Sequence, residues 1–112
     1  LTYRFAVAYL IDGTRMQMSD PAQPIPNLEE QRDRIAAFAK ERGCIVVKEI
    51  IEYHGDELLW DRSGFTELVY FVAERYPGWV IHSGENYLKL REGERYKFIR
   101  EFESDGASVM SA

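Results

Sequence analysis

Polar residues that could take part in catalysis or ligand binding lie directly after a short apolar run. The run from Phe5 to Ile11 is rich in aromatic and β-branched residues, and Asp12, Gly13 and Thr14 come next. This pattern predicts a strand buried on both faces, as in a parallel sheet, followed by a turn. Because open α/β sheets bind ligands beyond the carboxyl ends of their strands, we expect a site around these three residues. The simpler interpretation is an Asp-Gly pair that only turns the chain.

Two serines are candidate nucleophiles. Ser83 directly follows His82 at the predicted end of a strand, but neighbouring strand residues point to opposite faces and are poorly placed to share a proton. We therefore interpret Ser83 as a turn residue and His82 as a partly buried side chain. Ser19 lies in a proline-containing loop with no base at a defined spacing, which favours a solvated loop serine.

We also searched the sequence for side chains that could bind a metal ion. His54, Asp56 and Glu57 carry suitable ligand atoms, but a single His-x-Asp-Glu pattern is more typical of a solvated acidic turn. We predict no metal and no cofactor. Cys44 is the only cysteine, which excludes a disulfide within the chain and a zinc site of several thiolates. Because Ile-Val-Val follows it, Cys44 is predicted to be a small buried hydrophobic residue.

The hydrophobic pattern predicts the elements that position these residues. Asn27 and Glu30 resemble a capping box that starts a helix running to about Arg42, and Gly43 suits its C-terminal end. The later elements are a strand at 44–51, a loop at 52–61, a helix capped by Ser63 and ending before Pro77, a strand at 79–82, a polar helix at about 87–104 and a strand from 107. This alternating order predicts an α/β fold with a mainly parallel four-stranded sheet flanked by helices.

Composition narrows the class of protein. A chain of 112 residues and 13.1 kDa is long enough for one domain, and a hydrophobic content of 46% excludes a disordered chain. The net charge of −5 repels phosphate and lowers the expectation of nucleic-acid binding. We see no signal-peptide pattern and no apolar run near ~20 residues, so we predict a cytoplasmic protein that does not enter the membrane.

Four short segments, taken together and in order, resemble those of a known family. They are Ala8-Tyr9, then Asn27-Leu28-Glu29-Glu30-Gln31-Arg32, then Ala36-Ala37-Phe38-Ala39-Lys40-Glu41-Arg42-Gly43, and Asp61-Arg62-Ser63-Gly64-Phe65. In combination they resemble the N-terminal catalytic domain of the resolvase/invertase family of serine site-specific recombinases. The resemblance extends from Phe5 to Met110. It implies a resolvase-like fold and a relation to DNA strand cleavage and rejoining.

The resemblance also implies a nucleophile that this chain lacks. The family's first strand ends in Tyr-x-Arg-Val-Ser-Thr, and its serine attacks a DNA phosphate and becomes covalently attached to it. Counting from Tyr9, the arginine position is Ile11 and the serine position is Gly13, whereas Thr14 and Gln17 fit the pattern. Because glycine has no side-chain oxygen, phosphoryl transfer through a serine ester cannot start from Gly13.

The arginines that neutralise the phosphate in the family are also mostly replaced. The family's third strand is followed by Leu-Asp-Arg-Leu-Ser-Arg, and here the acidic position is Glu85, one arginine is Asn86 and the other is Lys89. Arg62 and Gln31 match the family's phosphate-side arginine and its supporting glutamine. In-line displacement at phosphorus depends on positioned positive charge, most of which is lost. The phosphate-binding candidates implied by the resemblance are Thr14, Gln17, Gln31, Arg62, Glu85 and Lys89.

Arg62 also has a structural interpretation, as a residue at the N-terminus of a helix that pairs with Asp61 or another nearby acid. Since the family's other phosphate-binding arginines are replaced here, this structural interpretation is supported at least as well as a phosphate contact.

Two functional predictions from different classes follow. In the first, residues 1–112 form a single resolvase-like N-terminal domain, catalytically inactive and acting in protein association or regulation, without the family's long dimerisation helix and DNA-binding domain. In the second, the chain is a remodelled phosphate- or nucleotide-binding domain, or a fragment of a recombinase taking part in DNA recombination. The negative net charge and the absence of the family's serine and arginine side chains favour the first prediction. We also expect a homodimer or a protein partner at the strand edge formed by 107–110, and at most weak DNA binding.

Overall fold

The computed structural model describes residues 4–13, 27–53 and 57–112 and contains a four-stranded, all-parallel sheet with helices on both faces. The strands are β1 (Arg4–Asp12), β2 (Cys44–Tyr53), β3 (Trp79–His82) and β4 (Ser108–Ser111), in the spatial order β2-β1-β3-β4. The helices are α1 (Leu28–Arg42), α2 (Ser63–Arg75), α3 (Glu85–Leu88) and α4 (Glu94–Glu103), with a short 3₁₀ helix at Leu59–Asp61. The predicted α/β fold with a parallel sheet is confirmed.

Strand β1 lies in the middle of the sheet and is buried on both faces, as its apolar sequence predicts. Val7, Tyr9 and Ile11 face the core beneath α2 and α4, whereas the alternate residues Ala8 and Leu10 face the core beneath α1. Phe98 and Phe102 of α4 fill the first core, and Ile35 and Ala39 of α1 contribute to the second. The buried Cys44 belongs to the α1 side, and its burial raises the pKa of the thiol.

Helix α1 begins and ends where its capping residues predict. The Asn27 side chain accepts a hydrogen bond from the Glu30 amide at 3.0 Å, and Gly43 adopts a left-handed conformation with φ of 68°. These interactions are local in the chain, so residue types alone indicate them. The structure adds one feature that the hydrophobic pattern did not predict, because the polar Gln31 is completely buried within the apolar stripe of this helix.

The prediction of one polar helix at about 87–104 is wrong. Helices α3 and α4 are separate, and between them Lys89 adopts a left-handed conformation with φ of 51° and Gly93 one with φ of 85°. At the break, the carbonyl groups of Leu88 and Lys89 accept hydrogen bonds from Arg62, and Gly93 precedes the new helix α4. The predicted inward positions Phe98 and Phe102 are nevertheless correct.

Strand β4 pairs with β3 on one side, and no other described strand pairs with it. Val109 packs against the core beneath α2 and α4, and Met110 packs against the core beneath α1, so both side chains are half-buried. What this edge presents is therefore mainly backbone rather than the apolar side chains that the sequence led us to expect. None of the helices among the described residues combines the length and apolar character needed to cross a membrane.

Candidate functional site

The carboxyl end of β1 is held to α1 by the buried side chain of Gln31. Its amide oxygen accepts from the Ile11 N–H at 2.9 Å, and its amide nitrogen donates to the Ile11 carbonyl at 2.7 Å and to the Asn27 carbonyl at 3.1 Å. Gln31 thus satisfies both backbone groups of Ile11, two residues before the buried Gly13. The structure places this candidate beside the expected site, where it binds the protein's own backbone.

Arg62 is 1% exposed, and its guanidinium binds three main-chain carbonyls. Nε donates to Glu57 at 3.1 Å, Nη1 to Leu88 at 2.7 Å and Nη2 to Lys89 at 3.0 Å. Its described hydrogen-bond partners are therefore these carbonyls rather than Asp61. The arginine joins the start of α2 to the segment after α3. The three bonds use three of its five N–H groups, and burial of the side chain keeps the other two from an outside phosphate.

The carboxylate of Glu52 occupies the N-terminal end of α2. It accepts from the Gly64 N–H and the Phe65 N–H, each at 2.8 Å, and from the Tyr9 hydroxyl at 2.6 Å. A Cβ at Gly64 would lie 2.8 Å from Glu52 Oε1, so only glycine leaves room for this approach. Burial and then the Glu52 carboxylate raise the pKa of Tyr9 well above its usual value. A helix N-terminus suits an oxyanion, and here the chain's own carboxylate fills that position.

Glu52 is not identified by the sequence, because it directly follows the apolar strand pattern and falls in the predicted loop at 52–61. The structure extends β2 to Tyr53 and turns the Glu52 side chain into the protein. The available signal was Gly64 in the first turn of α2, since glycine is less favourable than alanine within a helix and leaves room for another group to approach the backbone.

A second buried carboxylate, Glu94, connects α4 to the 3₁₀ helix. It accepts from the Leu59 N–H and from the Arg91 N–H, each at 2.7 Å. Burial acts to raise the pKa of Glu94, but these two amide donors and the nearby Arg62 charge outweigh it, so the pKa lies below its usual value. Glu52, Arg62 and Glu94 together stabilise the start of α2 and the chain on both sides of it.

At the end of β3, His82 and Ser83 do not form a nucleophile–base pair. His82 Nδ1 accepts from the Gly84 N–H at 3.1 Å, its ring packs edge-on against Phe98 of α4, and burial lowers its pKa. The carbonyl of Ser83 instead accepts from Arg34 of α1. The Ser83 hydroxyl is buried and has no hydrogen-bond partner in the part of the chain that the structure describes.

Arg34 is a second residue that sequence reasoning missed. Its Nη1 donates to the Ser83 carbonyl at 3.1 Å, and its guanidinium carbon lies 5.8 Å from the centroid of the Tyr87 ring. The Tyr87 hydroxyl donates to Glu30 at 2.9 Å, and this bond raises the tyrosine's pKa. Arg34 is exposed and held at two points beside the loop after β3. An arginine on the polar side of a helix is so common that no sequence signal distinguishes it.

The remaining predicted residues are placed as follows. Glu85 pairs with Arg95 at 2.7 Å on the surface, and Lys89 contributes its carbonyl to Arg62. Thr14, Gln17, Ser19, His54 and Asp56 lie outside the described residues. Across residues 4–13, 27–53 and 57–112, no three His, Cys, Asp or Glu side chains come together as a set that could hold a metal ion. Phosphate binding by the six candidates stays a prediction.

Comparison with known proteins gives similarity in structure. No protein-family model and no curated protein matches the chain. The C-terminal catalytic domain of ISC1926 TnpA, an IS607-like serine recombinase, matches with a TM-score of 0.69 and 23% identity over 96% of this chain and 66% of that one. The chain thus spans slightly less than two thirds of that protein's length.

Two further solved structures agree with this match. The N-terminal catalytic domain of TP901-1 integrase superposes with a TM-score of 0.76 at 16% identity, covering 96% of this chain and 77% of the other. The first ORF of transposon ISC1904 from Sulfolobus solfataricus P2 gives a TM-score of 0.54 at 12% identity, covering 96% and 66%. The resemblance read from the four sequence segments is confirmed at the level of the fold: this chain has the fold of the serine recombinase catalytic domain.

Proposed function

We propose that residues 1–112 form one domain related to the serine recombinases that does not cleave DNA and that acts by associating with other protein chains. The observation that carries the proposal is the environment of Arg62, whose guanidinium is 1% exposed and bound to three carbonyls. A catalytic arginine must reach the charge that develops on the phosphate. Arg62 instead stabilises the fold.

The residues at the end of β1 support the same conclusion. Gly13 stands where the resemblance places the serine nucleophile, and Ile11 stands where it places an arginine. Ile11 is a buried core residue with an apolar side chain, so this position supplies no positive charge. Without a nucleophilic oxygen or its neutralising charges, a covalent phosphoserine link to DNA has no starting point.

The test is trapping of a covalent protein–DNA adduct on supercoiled plasmid, resolved by denaturing electrophoresis beside an active serine recombinase as positive control. The natural chain should give neither an adduct nor nicked or linear plasmid. Gly13→Ser should also give none, because Ile11 and Asn86 leave the phosphate without sufficient positive charge. An adduct attached to a serine of the natural chain would refute the proposal.

Binding to duplex DNA should be weak and independent of sequence. With a net charge of −5, affinity should be no tighter than the ~10⁻⁴ to 10⁻⁶ M of non-specific contacts at physiological salt. A mobility-shift titration with footprinting measures this directly. A sequence-dependent footprint at nanomolar protein would contradict it.

Arg34 favours a second candidate function, a remodelled phosphate- or nucleotide-binding domain. Its exposed guanidinium is held beside the Ser83 carbonyl and the Tyr87 ring, near the loop where the family's arginines lie. Titration of inorganic phosphate into ¹⁵N-labelled protein tests this candidate. Saturable shifts at residues 83–87 that disappear in Arg34→Met would support it, and unchanged spectra at millimolar phosphate would exclude it.

A further inference from the structure

An open groove of about 370 Å³ lies between the 3₁₀ helix and α4. Its lining residues are Trp60, Tyr96, Lys97, Arg100, Glu101 and Ser104, and we call it the Trp60 groove. None of these residues belongs to the cluster around Arg62 or to the end of β1. The groove is thus separate from the position where the resemblance places catalysis.

Large side chains in the Trp60 groove are exposed and yet held in place. Trp60 is 54% exposed, but its ring stands edge-on to Phe65, with centroids 5.1 Å apart. Tyr96 is 64% exposed; Arg100 donates to its hydroxyl at 2.9 Å, with the guanidinium carbon 5.4 Å from the ring centroid. A partner would therefore lose little side-chain entropy in ordering these groups. Trp, Tyr and Arg are also the residue types enriched at the energetic centres of protein interfaces.

Charge indicates the chemistry of the partner. Residues 89–100 contain five cations and two carboxylates, although the chain as a whole has a net charge of −5. One of these carboxylates, Glu94, is bound to two backbone N–H groups inside the protein. Lys97 and Arg100 line the groove itself. The groove lining thus has two cations against one carboxylate, Glu101, and this excess of positive charge complements an acidic ligand.

We propose that the Trp60 groove binds an acidic segment of a partner protein. The segment places an apolar side chain against Trp60 and Tyr96 and its carboxylates beside Lys97 and Arg100. Glu101 lines the same groove and the overall charge is negative, which disfavours a continuous polyphosphate track more than a peptide with few carboxylates. This inference rests on the proposed function in protein association and names the surface that performs it.

The probe is a short synthetic peptide of glutamate and phenylalanine residues, titrated into ¹⁵N-labelled protein. We expect shifts at the groove residues and a change in fluorescence of the exposed Trp60, since Trp79 is buried. The same peptide with glutamine in place of glutamate should bind about tenfold more weakly, and so should the Lys97→Glu/Arg100→Glu variant and Trp60→Ala. Tyr70→Ala removes an equally exposed aromatic ring from α2 and should leave binding unchanged.

No binding at millimolar peptide, equal binding of the glutamine peptide, or shifts outside the groove would each overturn the inference. Tighter binding of oligo(dT) than of the acidic peptide, abolished by the charge reversal, would overturn it in favour of a single-stranded nucleic acid. The charge-reversal variant leaves the core intact, so its result does not depend on the stability of Trp60→Ala. The adduct assay is independent of this surface, so an adduct alone would refute the proposed function, and lost peptide binding alone would refute this inference.

Discussion

Replacing Arg62 by methionine distinguishes a structural role from a phosphate-binding one. Methionine retains most of the aliphatic stem but leaves the carbonyls of Glu57, Leu88 and Lys89 without the donors they now have. It also removes the positive charge that lowers the pKa of the buried Glu94. If Arg62 were reserved for a ligand, its loss would leave the free protein's stability nearly unchanged.

The size of the destabilisation follows from the burial of Arg62 and from the number of hydrogen bonds that it donates. A hydrogen bond to a charged donor contributes about 1.5–3 kcal/mol, and the three are not additive because they share one side chain. Removing one member of a buried charged network typically destabilises by about 3–5 kcal/mol. We therefore expect Arg62→Met to lower the free energy of unfolding by roughly 4 kcal/mol, out of a total of about 5–15 kcal/mol for a domain.

Urea unfolding followed by circular dichroism and tryptophan fluorescence measures this change. With an m-value of about 1–3 kcal/mol/M, the midpoint should fall by roughly 2 M. Arg62→Lys should be intermediate, because one ammonium keeps the charge but cannot span three carbonyls. The matched control is Arg75→Met in the exposed last turn of α2, where the helix dipole limits the loss to about 0.3–1 kcal/mol. A midpoint for Arg62→Met equal to that of the control would refute the structural role.

Three further predictions concern other parts of the fold. Gly64→Ala should lower the free energy of unfolding by about 1–3 kcal/mol in urea titrations, because the alanine Cβ would displace the Glu52 carboxylate. At a permissive helix position, alanine would instead stabilise the protein relative to glycine. A higher urea midpoint would therefore contradict the carboxylate's role. Burial holds the folded-state pKa of His82 below its unfolded value, so the stability from its neutral imidazole is present above about pH 6.5 and is lost as the pH falls below that value. In thermal unfolding, the melting temperature should therefore fall between pH 8 and pH 5.5, and His82→Gln should reduce this dependence on pH. An unchanged pH dependence in the variant would exclude His82 as its source. The edge of β4 that no described strand pairs with should form a homodimer at tens of micromolar by sedimentation equilibrium. A clean 13.1 kDa monomer would show that Val109 and Met110 are sufficiently covered by their own chain.

Several elements could be predicted from sequence because their signals are local. The Asn27 cap and the left-handed Gly43 delimit α1, and the apolar run after Arg4 forms the strand buried on both faces. The fold resemblance also rested on short segments read in order. In each case, the deciding interactions join residues a few positions apart or follow the periodicity of one element.

The break between α3 and α4 could not be located from local signals alone. Gly93 was a local signal for it, but Lys89 carries no feature that marks a left-handed residue. The carbonyls at the break are bound by the guanidinium of Arg62, which lies 26 and 27 positions earlier in the chain. Likewise, the roles of Glu52 and Gln31 depend on which backbone groups pack beside them.

The sequence by itself determined that no hydroxyl stands at Gly13 and that the charges expected at Ile11 and Asn86 are missing, because covalent chemistry depends on which atoms a residue has. Only the tertiary structure decided what the matching residue Arg62 does. The same guanidinium could bind a phosphate or three carbonyls, and its residue type does not distinguish these outcomes. Packing of α2 against the segment after α3 removes it from water and supplies the acceptors, since a buried cation needs its hydrogen bonds satisfied within the protein.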